Sequence, residues 1–109
     1  MKITVKNTTL EANMLNLKTA KAYEHAAEVF IKLKDDVANA KSLSDIIKQA
    51  CDTVFAQIDA IFGDGTSTQL FGGEYSLDDA ILTWLEIDKQ MRIAAEAESS
   101  KISKLVQGE

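Results

Sequence analysis

Hydrophobic residues recur at three- and four-residue spacing along most of this chain, a period that predicts three amphipathic helices with short polar or glycine-bearing breaks between them. In the first helix Ala22, Ala26, Val29, Leu33 and Val37 form a stripe that Tyr23, Ala27 and Phe30 widen. Asn7, Thr8 and Thr9 are candidate caps, and Glu11 completes a capping box with Thr8, so the helix is predicted from there to about Asn39. Ser42-Leu43-Ser44-Asp45 caps the second helix, whose face of Ile46, Ile47, Ala50, Cys51, Val54, Phe55, Ile58, Ile61 and Phe62 is broad enough for a central position. Ser76 and Asp79 cap the third, which carries Leu77, Ala80, Ile81, Trp84, Ile87, Met91 and Ala94. Beyond Ala95 the pattern thins; Ile102, Leu105 and Val106 keep helical spacing, and residues 96–109 are expected to fray or form a mobile tail.

Residues 2–6 alternate instead, with Ile3 and Val5 on one side and Lys2, Thr4 and Lys6 on the other. This short strand has no evident partner in the chain, so residues 1–8 are read as an extended arm that orders on assembly. A first helix of roughly 30 residues would be about 45 Å long, against a radius of gyration of ~13 Å for a compact domain of this size. Either it breaks near Asn13 to Asn16, or its end protrudes and leaves Leu10, Met14, Leu15 and Leu17 to be covered by another molecule. The protruding end is the reading favoured.

Four of the five glycines fall in two turns, Gly63-Asp64-Gly65-Thr66-Ser67 and Phe71-Gly72-Gly73, in a sequence without proline. Gly63 suits a left-handed helix terminus, and the turns fold the last helix back on the central one. The expectation is an all-α single domain over residues 1–109: three main helices, a long first helix and an extended arm.

Composition narrows the function. A formal net charge of −5 and a single arginine, Arg92, oppose a phosphate-backbone partner, and the lysines at 18, 21, 32 and 34 alternate with acids. No apolar run approaches a membrane span or a signal peptide, and one cysteine cannot form an internal disulfide, so a soluble intracellular protein is expected. His25 has no converging nucleophile or acid, and Cys51 sits in an apolar face without cations. Asp64, Thr66 and Thr68 lack the length and closing glutamate of a calcium loop, and Asp78 and Asp79 belong to a helix first turn. No catalytic, metal or cofactor site is therefore expected. The aromatic and methionine positions Phe71, Tyr75, Trp84 and Met91 join Leu10, Met14 and Leu17 as candidate contacts for a partner or for self-association.

The string Ile58-Asp59-Ala60-Ile61-Phe62-Gly63-Asp64-Gly65-Thr66, followed by Leu70-Phe71-Gly72 and the capped helix from Ser76, resembles small tail assembly chaperones of long-tailed bacteriophages, also described as tape measure protein chaperones. The resemblance covers residues 58–85. It implies a non-enzymatic helical protein of the infected bacterium's cytoplasm, absent from the finished virion. Such a protein would coat the apolar helices of the tape measure protein until tail tube subunits displace it, and would self-associate into rings or spirals. A structural adaptor or neck component of the virion, and a small acidic regulator of a host protein, are the alternative readings.

Overall fold

The computed structural model describes residues 2–108; Met1 and Glu109, the outer ends of the expected arm and tail, lie outside the described residues. The chain is mostly helical and begins with a β-hairpin, β1 (Lys2–Val5) and β2 (Thr8–Glu11), followed by α1 (Leu17–Ala38), α2 (Leu43–Phe62), α3 (Thr66–Phe71) and α4 (Leu77–Val106).

The hairpin corrects two expectations together. Thr8–Glu11 does not open the first helix; it pairs antiparallel with β1, Ile3 opposite Leu10 and Val5 opposite Thr8. The turn is made by Lys6 and Asn7, both at positive φ (50° and 60°), the handedness that matches the twist of a two-residue hairpin. Ile3, Val5 and Leu10 are buried, so Leu10 belongs to the core. A two-stranded hairpin is marginal by itself, and this one is held from outside. The Gln90 side chain accepts from the Thr4 amide (3.1 Å) and donates to the Thr4 carbonyl (2.9 Å). Lys6 pairs with Asp79 and sits 4.6 Å above the Phe71 ring.

The first helix thus takes the break at Asn13 to Asn16. Asn13 Oδ1 accepts from the Leu15 amide in a tight turn, and Asn16 Oδ1 caps α1 through the amides of Lys18 (3.0 Å) and Thr19 (3.4 Å). α1 lies against α2 and reaches α4 through large side chains: Phe30 meets Trp84 with ring centroids 4.9 Å apart, and Tyr23 donates to Asp88 at 3.0 Å. Later residues of α1 meet earlier residues of α4, so the two helices are antiparallel. The short α1–α2 connection then sets α2 parallel to α4.

α2 starts at Ser42, whose hydroxyl accepts from the Asp45 amide, and ends at Gly63. Gly63 lies at φ 114°, ψ 153°, which is not the left-handed helical conformation anticipated but an extended region with positive φ that only glycine occupies readily. The glycine turn contains a short helix, α3, where the spacing predicts turn alone. Its N-cap, Gly65, has no side chain to offer, and Asp59 from α2 supplies the acceptor for the Ser67 amide (2.8 Å) and hydroxyl (3.0 Å).

The overhanging helix is the last one. α4 has 30 residues, about 45 Å at 1.5 Å per residue, and continues as helix through the segment expected to fray. It gives the molecule its longest dimension, 56 × 29 × 19 Å overall with a radius of gyration of 15.5 Å. The core is one cluster in which Ile58, Ile87, Met91, Val54 and Cys51 are the largest fully buried side chains.

Ile87→Ala should lower unfolding free energy in denaturant titration by about 2–5 kcal/mol, because a fully buried side chain leaves a cavity. Leu85→Ala, on the outward face two residues earlier, should change it by about 0.5 kcal/mol or less. Gly63→Val should cost about 1–3 kcal/mol through backbone strain alone, since nothing crowds a Cβ there.

Candidate functional site

The surface carries open apolar clefts, and the elements above explain where they fall. α2 and α4 start side by side, and Ile47, Tyr75, Leu77, Ile81 and Leu82 line a cleft of about 720 Å³ between their first turns. An adjoining hollow is walled by Ser44, Ile47, Lys48 and Tyr75. Leu43, one turn before Ile47 on the same helix face, is exposed, and Leu82 is 66% exposed.

Tyr75, the residue at the centre of this cleft, is held on two sides. Its ring packs edge-on against Phe55, centroids 5.2 Å apart at 69°, and Phe55 in turn meets Phe71 at 4.9 Å. Its hydroxyl donates to Asp52, which also accepts from Lys48 Nζ at 2.7 Å. The Lys48 ammonium and then the Tyr75 hydroxyl hold the Asp52 carboxyl below the usual carboxylate range. The bond to Asp52 pushes the Tyr75 hydroxyl up, so it keeps its proton more firmly than a free tyrosine. The arrangement fixes an aromatic wall.

A second group of clefts follows the seam between α1 and α4. Tyr23, Ala27, Phe30, Trp84 and Asp88 line one of about 490 Å³. Met14, Leu15, Ala20, Ala95, Glu98 and Ile102 line another of about 450 Å³ nearer the end of α4. Asp88 bridges the seam, accepting from Tyr23 and pairing with Arg92 at 3.2 Å.

The structure divides the seven residues singled out from sequence. Tyr75 and Leu17 are exposed and Met14 is half-buried at a cleft, so these can meet a partner. Leu10, Phe71, Trp84 and Met91 are buried and belong to the core, with the Trp84 ring also bordering the α1–α4 cleft. Leu43, Leu82, Leu85 and Ile93 are exposed apolar residues that sequence reasoning missed. Leu82, Leu85 and Ile93 make a second stripe on α4 at spacings of three and eight, opposite the core stripe and legible in principle by periodicity.

His25 is exposed with Glu28 at 3.6 Å, and Cys51 is fully buried, its thiol pushed up by desolvation. Among the described residues no three His, Cys, Asp or Glu side chains are placed to hold a metal ion, and no helix is long and apolar enough to cross a membrane.

The fold and its surface define a small helical protein whose open features are apolar clefts. The chain belongs to the family of unknown function DUF6673, whose model matches residues 6–107. No curated protein and no solved structure matches it.

Tyr23 provides a check on the α1–α4 seam. Burial, then its hydrogen bond to Asp88, pushes its hydroxyl up from 10.0 to about 12. The raised value belongs to the folded state, so this contribution to stability is complete below pH ~10 and is lost as pH climbs through about 12. The chain has two tyrosines, so in a Tyr75→Phe variant tyrosinate absorbance reports Tyr23 alone and should rise well above pH 10. Adding Tyr23→Phe should flatten the loss of stability in that window.

Proposed function

We propose that this chain is a non-enzymatic assembly chaperone of the bacteriophage tail type, which holds apolar helical segments of a tape measure protein in the cleft between the starts of α2 and α4. The observation that carries this reading is the cleft itself, with Ile47, Leu77, Ile81 and Leu82 around the fixed ring of Tyr75. Its apolar floor suits one face of an amphipathic helix laid between two others. Asp52, Asp78 and Lys48 at its edges keep the rim polar, which orients a helix whose other face is charged.

Each such contact is small and therefore reversible. Several copies along one extended apolar client would together shield it, while tube subunits could displace them one at a time. The net charge of −5 would keep the loaded complex soluble. On this reading the protein acts in the cytoplasm of the infected bacterium and leaves before the particle is complete.

The test is co-expression with the tape measure protein encoded nearby. The soluble fraction of that client should rise with the wild-type chain and fall back with Leu82→Glu, which places a charge on the cleft wall without touching the core. Equal client solubility with and without this chain would sink the proposal. Mass spectrometry of purified particles should find no stoichiometric copy; finding one favours a structural virion component instead.

A further inference from the structure

We infer that the protruding end of α4 is a self-complementary surface through which two copies of this chain pair, antiparallel, about a two-fold axis between Ser99 and Ser100. The core stripe of α4 is a strict alternation of four- and three-residue steps: Ala80, Trp84, Ile87 and Met91, all buried. The same alternation runs on through Ala94, Glu98, Lys101 and Leu105. It is the seam spacing of paired helices, and its first half is satisfied inside the molecule. The second half runs out from the body of the fold: Ala94 and Glu98 are half-buried at its margin, Lys101 is exposed, and Leu105 is 66% exposed.

What sets the occupant is the order of residues in that second half. Read forwards it is small, acidic, basic, large, at spacings of four, three and four. A second copy running the other way meets it with Leu105 against Ala94 and Lys101 against Glu98, each contact occurring twice. Large side chains then fill the space above small ones, and both charge pairs are attractive. A parallel arrangement would put Glu98 against Glu98 and Lys101 against Lys101, so charge selects the antiparallel one.

The single copy leaves these groups unsatisfied. Glu98 is half-buried at the open cleft it shares with Met14 and Leu15, and neither Glu98 nor Lys101 takes part in an ion pair among the described residues. A lysine from a second copy supplies a counter-charge. Ile102, beside the seam, and Leu15 across the cleft extend the apolar contact.

The paired stretch, residues 94–105, is about 18 Å of helix, and so small an interface makes a dimer that depends on concentration. A two-fold contact of this kind closes on itself; a ring or spiral would need a second, different surface. The inference does not rest on the chaperone reading, since it concerns the other end of α4 and no client.

Sedimentation equilibrium of the full chain over a wide concentration range tests it. The wild type should pass from monomer to dimer, and Glu98→Lys or Lys101→Glu alone should weaken association by about tenfold or more, because two attractive pairs become two repulsive ones. The double variant, Glu98→Lys with Lys101→Glu, should restore the wild-type dissociation constant. Circular dichroism confirms that each variant keeps its helix. A wild type that stays monomeric, a dimer indifferent to the single reversals, or a double variant that does not recover would each overturn the proposal.

Discussion

One face of α4 has to be taken out of water, and the remaining elements are arranged to do it. Ala80, Trp84, Ile87 and Met91 are too apolar to lie exposed over three turns, and each neighbour covers part of them. α2 packs along the face, α1 reaches it through Phe30, and the hairpin closes its flank. The hairpin depends on this most. Thr4 and Gln90 are 86 residues apart, so the hydrogen bonds that hold the N-terminal strands from outside come from the far end of the chain. The chain therefore closes through its two ends, and a nascent chain lacking α4 holds a hairpin without its hydrogen-bonded clasp.

How far the fold was legible follows from where each signal resides. α2 was bounded correctly because both its cap, Ser42, and its terminator, Gly63, are local to it. The hairpin was missed because its turn is Lys6-Asn7 rather than a glycine-bearing pair, and because Leu10, Met14 and Leu17 fall at near-helical spacing. The contacts that tolerate that turn, Asp79 and Phe71 around Lys6, are distant in sequence. α3 was hidden for the same reason: Asp59 caps it from another helix. The overhang belongs to α4 and not to the first helix because Asn13 and Asn16 are strong local stops and α4 contains none before Val106.

For the candidate surface the aromatic residues were a mixed guide. Periodicity marks which side chains share a face but not whether a neighbour already covers it, so Trp84 and Met91 read equally well as core or contact. Tyr75 escaped burial because it follows the second glycine turn, where the backbone has just reversed and the ring lies at the margin of the Phe55 and Phe71 cluster. The exposed leucines of α4 went unnoticed for a related reason. A helix with apolar residues on two faces looks merely hydrophobic until one face is assigned to the interior.

The clasp of Gln90 on Thr4 reaches beyond the hairpin. A strand at the edge of a sheet normally offers unpaired amides and carbonyls to any extended chain that drifts past, which is how many small proteins begin to aggregate. Here a side-chain amide occupies both outward groups of Thr4 and mimics the strand that would otherwise add there. The exposed edge is blunted from within by a helix, so growth by strand addition is blocked at its centre. Of the two edges of this sheet, the β1 edge is therefore closed to a further strand.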